Sequence, residues 1–86
     1  MTLRIERTTV QGRTVLRLIG RVKAECLPEI VAQLEGMEPP PALELREVTL
    51  VDVETVRFFN GCEHHGIELL HCAQYIRQWM AAEHPR

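Results

Sequence analysis

The sequence has no apolar run approaching the roughly 20 residues that cross a bilayer, so no membrane insertion is expected. It has no basic excess either. Ten Lys and Arg stand against twelve Asp and Glu, for a net charge of −2. A protein that tracks a phosphate backbone carries surplus positive charge, so nucleic acid is not the expected partner. Cysteine is scarce and odd in number. Cys26, Cys62 and Cys72 lie far apart, which reads as reduced thiols in a cytoplasmic protein rather than a disulfide framework. The five glycines are spread singly, so no Gly-rich phosphate loop is present. Met1 to Arg7 contains no apolar h-region, and no signal peptide is expected. Repeats, low-complexity tracts and linkers are also missing.

What is present is an ordinary globular composition: 86 residues, 45% hydrophobic and 26% charged. That predicts a single domain over residues 1–86, since a second core would not fit. A chain this short buries only roughly 60–65% of the surface its unfolded form exposes, so the core is expected to be thin. A multi-step enzyme with its own cofactor domain does not fit that size.

Leu3 to Thr9 mixes β-branched and charged residues, with Leu3 and Ile5 two apart, and reads as a half-solvated strand. Gln11-Gly12 is a turn signal, and Thr14 to Ile19 forms the second arm of a hairpin closed by Gly20. Leu27, Ile30, Val31 and Leu34 then make one stripe of a helix, with Pro28 tolerated in its first turn. Gly36 stops it, and Pro39-Pro40-Pro41 forbids continuation and acts as a stiff spacer. Leu43 to Val51 predicts a buried strand with an irregularity at Arg46-Glu47, ending at Asp52. From Val53 to His65 the period is helical. Val53, Val56, Phe58, Phe59 and Cys62 share one arc; Glu54, Arg57, Asn60 and His64 make a face read as solvated. Gly66 ends that helix. Ile67 to His71 predicts a fourth strand and Ala73 to Glu83 a last helix carrying Tyr75, Ile76, Trp79 and Met80 on one side, with the two aromatics expected to dock on the core. The order β-β-α-β-α-β-α predicts an α/β fold: a mixed four-stranded sheet with about three helices packed on it.

This order, with the wording of three segments, resembles the STAS domain of bacterial anti-sigma-factor antagonists and sulfate-transporter tails. Thr14-Val15-Leu16-Arg17-Leu18-Ile19-Gly20-Arg21-Val22 is similar to the family's second strand and its exit. Ala24-Glu25-Cys26-Leu27-Pro28-Glu29-Ile30 is similar to the entry of its first helix. Leu43 to Asp52 is similar to the strand that leads to its functional loop. The resemblance covers nearly the whole chain and implies a bacterial signalling module that regulates by protein–protein interaction.

In antagonists of the phospho-switch type, the resemblance continues as Asp-Ser-Ser-Gly, and a partner kinase phosphorylates the first Ser. A helix start, with its free N–H groups and positive dipole end, responds sharply to an added anion. This chain departs there. Asp52 stands at the family Asp, Val53 replaces the phosphorylated Ser, and Glu54 and Thr55 follow. Valine has no hydroxyl, so the usual serine switch is missing. Thr55 offers a hydroxyl nearby, and phosphorylation of Thr55 is one reading. Its helical projection falls in the apolar arc, which favours the other, a buried hydroxyl satisfied by backbone. Glu54 supplies fixed negative charge, either imitating a modified state or simply complementing the dipole. Lys23 stands where family members often have Asp, and the second helix is about a turn shorter than usual. By resemblance the partner-binding residues are Lys23, Asp52, Val53, Glu54, Thr55 and Arg57. The partner would be an anti-sigma factor, a kinase-like regulator or a larger complex; a homodimer is left open, with an exposed Trp79 as its marker.

Other constellations point elsewhere. Lone STAS proteins also accompany ABC transporters, which makes an accessory role in such a complex an alternative. Cys62, His64, His65, His71 and Cys72 cluster in sequence, and Cys62 with His65 at i and i+3 suggests a metal or thiol sensor as another. No C-x-x-C or H-x-x-x-H spacing accompanies them, so no metal site is expected. No oriented Cys-His nucleophile pair is marked either. Neither enzymatic activity nor a cofactor is expected.

Overall fold

A computed structural model describes residues 3–83. Its elements are β1 (Leu3–Val10), β2 (Arg13–Val22), a 3-10 turn (Ala24–Cys26), α1 (Leu27–Leu34), β3 (Ala42–Val51), α2 (Val53–His64), β4 (Leu69–Leu70) and α3 (Gln74–Glu83). The sheet runs β1-β2-β3-β4, with β1 and β2 antiparallel and the β2–β3 and β3–β4 pairs parallel. This is the mixed α/β sheet and the element order that the patterning predicts. Gln11 and Gly12 both take positive φ, 53° and 78°, between the register partners Val10 and Arg13. A two-residue loop of this kind matches the twist of the strands it joins.

One face of the sheet is apolar. Leu16, Leu18, Leu43, Leu45 and Val48 pack against Ile30 of α1, Val56 and Phe59 of α2, and Ile76 and Met80 of α3. The opposite face carries charge. Glu6, Arg17 and Glu44 are successive register partners across β1, β2 and β3, with Arg17 3.6 Å from each carboxylate. The irregularity at Arg46-Glu47 is present. Arg17 pairs with Glu44 but Ile19 with Glu47, so β3 holds one extra residue there. Both Arg46 and Glu47 are exposed, while Leu45 and Val48 on either side are buried.

Three details differ from the sequence expectations. The fourth strand is only Leu69–Leu70 rather than Ile67 to His71. Gly66, at φ 86°, ends α2 in a Schellman motif: its N–H donates to Glu63 O, and the Ile67 N–H donates 2.9 Å to Cys62 O. Ile67 is thereby used by the helix cap, and His71 leaves the strand at φ 54°. In α3, Ile76 and Met80 face the core and Trp79 packs half-buried against it, but Tyr75 is 50% exposed. Tyr75 projects roughly 100° from Ile76, off the centre of the buried stripe. In α1, Val31 likewise turns outward while Ile30 takes the centre of the stripe.

Candidate functional site

β2 and β3 run parallel, so their carboxyl ends lie on the same side of the molecule. Val22 and Val51, the last residues of the two strands, are register partners. The 3-10 turn leading to α1 leaves one strand and α2 leaves the other. Ligands of open α/β sheets commonly sit outside such strand ends. Asp52 organises this region. It is the N-cap of α2, in extended backbone. Its Oδ1 accepts from the Thr55 N–H at 3.0 Å, which satisfies one of the free donors of the first turn. Its Oδ2 accepts from the Ala24 N–H at 2.9 Å, 28 residues away in the chain. One carboxylate therefore fixes both exits.

Thr55 completes the lock. It is fully buried, and its hydroxyl oxygen lies 2.8 Å from Val22 O and 2.7 Å from Asp52 Oδ1. The single hydroxyl proton is shared between these two acceptors. The arrangement shifts the Asp52 carboxyl. Burial pushes its pKa up, but hydrogen bonds from the Thr55 hydroxyl, the Ala24 N–H and the Thr55 N–H outweigh that, and the net shift is downward. Asp52 is an anion at neutral pH.

The structure brings Lys23, Asp52, Val53 and Glu54 together around these strand ends. Lys23, Asp52 and Val53 are half-buried and Glu54 is exposed. Thr55 lies beneath this surface instead of on it. Arg57 sits one turn along α2 and is engaged: its side chain lies 3.6 Å from Glu54 and 3.1 Å from Glu83 of α3. The α2 face read as solvated is in part the seat of α3. Asn60 donates to Met80 O at 2.9 Å, and Arg77 of α3 lies 2.7 Å from Glu63. Helical period alone marked that face as polar. It did not reveal that a second helix would claim its polar groups, and no local signal announces this.

Cys62 is buried, which pushes its thiol pKa up to about 11 with a smaller contribution from Glu63. It is a packed thiol, not a thiolate. Burial raises the Cys72 thiol as well. The His65 Nδ1 lies 2.8 Å from Gly61 O, a contact that occupies this ring nitrogen within the end of α2. Among the described residues, no three His, Cys, Asp or Glu side chains gather in a metal-holding group. No helix among them is long and apolar enough to cross a membrane. Compared with known proteins, the chain matches no family model and no curated protein.

Proposed function

We propose that this chain is a cytoplasmic, non-enzymatic interaction module of a bacterial regulatory system, acting as anti-sigma-factor antagonists do but without their serine switch. The observation that carries this reading is the preformed start of α2. Asp52 holds the exits of β2 and β3 in one arrangement, and Val53 occupies the first helical position without a hydroxyl. The neighbouring hydroxyl, on Thr55, is buried and donates to groups of the protein itself. A surface built this way is ready to bind without prior modification. Lys23 and Glu54 give it charges of both signs for selecting a partner, the use to which interface charges are best suited. The partner class is another protein: an anti-sigma factor, a kinase-like regulator, or a larger complex.

The experiment is capture from native lysate on the wild-type chain, with bound proteins and phosphosites identified by mass spectrometry. It is repeated with Glu54→Lys and with Val53→Ser. The expected result is a protein partner lost with Glu54→Lys, and no phosphate on the wild-type chain. Capture unaffected by Glu54→Lys, or a phosphate on wild-type Thr55, overturns the reading. Recovery of a transporter ATPase as the partner assigns the chain instead to an ABC transporter complex.

A further inference from the structure

Remote from the strand ends, the sheet has two unlike edges. Among the described residues β4 offers only two residues, whereas β1 offers eight and pairs on one side only, with β2. An unpaired edge presents a row of free N–H and C=O groups that template pairing with another chain. Soluble proteins blunt such edges with proline, bulges, very short strands or charged side chains. β1 has none of the first three. It contains no proline or glycine, and its register with β2 runs from Leu3 to Val10 without a shift. It carries charge instead, in the order Arg4, Glu6, Arg7.

We propose that β1 is a homodimer interface, in which two copies pair their β1 strands antiparallel about a two-fold axis at Ile5 and form one continuous eight-stranded sheet. The axis stands normal to the sheet, so each face continues into the same face of the partner. Leu3 and Ile5 point to the apolar face; Arg4 and Glu6 point to the charged one, where Glu6 reaches Arg17. Only registers that match like faces are allowed, because a one-residue slip exchanges the faces. Among these, an axis at Arg4, Glu6 or Arg7 places that charged residue against its own copy, which is unfavourable. An axis at Thr8 sets Glu6 opposite the partner's Val10 and gains no ion pair.

The axis at Ile5 sets Arg4 opposite the partner's Glu6, twice by symmetry, and Ile5 opposite the partner's Ile5. It also continues a pattern already present. The row Glu44–Arg17–Glu6 alternates in sign across three strands and ends at the free edge on a carboxylate. The next position in that row is filled by the partner's Arg4. Within the chain Arg4 lies 2.9 Å from Glu6 with its side chain 75% exposed, so the partner's Arg4 joins a carboxylate that its own strand already pairs.

The test is sedimentation of the purified chain over a concentration series, with two charge variants alongside. The wild type is expected to show a reversible monomer–dimer equilibrium. Arg4→Glu alone creates two Glu–Glu pairs, Glu6→Arg alone creates two Arg–Arg pairs, and each is expected to raise the dimer Kd at least about tenfold. Mixed together, the two variants present only opposite charges across the axis and are expected to recover a heterodimer. Independently of charge, Ile5→Cys is expected to give a disulfide-linked dimer on a non-reducing gel, since opposed residues hold their Cβ atoms about 4.5–5.5 Å apart, a small adjustment from the roughly 3.5–4.5 Å a disulfide spans. The controls are the wild type, for its three cysteines, and Thr8→Cys. A monomer persisting to about 1 mM overturns the proposal. So does a dimer indifferent to Arg4→Glu, or one cross-linked better by Thr8→Cys than by Ile5→Cys.

Discussion

The helices that leave the two central strands begin in different ways. α2 starts on Asp52, whose carboxylate accepts from the Thr55 N–H, the Thr55 hydroxyl and the Ala24 N–H. α1 starts on Cys26, which makes no side-chain cap bond; the start rests on a 3-10 turn and on Pro28 in its first turn. The Ala24 N–H, at the head of that turn, is satisfied by the other helix's cap. The difference shows a dependence running one way: the exit to α1 takes part of its order from the exit to α2. The surface around Lys23 and Glu54 is therefore set by a single carboxylate.

Asp52→Ala is the largest break available. It removes the cap and orphans the Ala24 N–H, and a loss of roughly 2–3 kcal/mol is expected in urea unfolding. Hydrogen exchange should then quicken at Ala24 and Thr55 together. Quickening at Thr55 alone would refute the coupling between the two exits.

Thr55→Val keeps the volume and removes the hydroxyl. The cost should be roughly 1–2 kcal/mol, because the Val22 carbonyl and the Asp52 carboxylate both lose a donor. A variant as stable as wild type would mean that the shared proton contributes nothing.

Acid sharpens the comparison further. The folded Asp52 pKa lies below its ordinary 3.8, so on acidification the unfolded chain takes up this proton first. The stability that Asp52 contributes is complete above about pH 5 and is lost as the pH falls through the lower folded value. Relative to Asp52→Asn, the wild type should lose stability more steeply below about pH 4 and run parallel to it above about pH 5. Parallel curves throughout would contradict the lock. The smallest effect is expected at the other helix, where Cys26→Ala should change stability by less than about 0.5 kcal/mol.

Much of this was legible in sequence wherever the cause is local. Two short runs rich in β-branched and apolar residues about the Gln11-Gly12 turn marked β1 and β2, the 3.6-residue period marked the helices, and the resemblance placed Asp52 at the start of α2. The projection of Thr55 into that arc agrees with its burial. The rest depends on contacts between distant segments. The Asp52–Ala24 bond spans 28 residues, and only the parallel pairing of β2 with β3 brings its ends together. Arg57 and Asn60 looked solvated because nothing in α2 foretells that Glu83 and the Met80 carbonyl will meet them. β4 looked longer because Ile67 is apolar in either role, and only the observed bond to Cys62 O assigns it to the helix cap.

The central claim is that the Asp52-ordered surface binds a protein partner without a phospho-switch. The most direct measurement is a calorimetric titration of the captured partner against the unmodified chain and against Lys23→Glu/Glu54→Lys. Both substitutions leave the bonds of Asp52 intact. The account predicts binding by the unmodified chain and affinity at least about tenfold weaker, ~1.4 kcal/mol, for the double variant. Equal affinity for the two, or binding that appears only after phosphorylation, would contradict it.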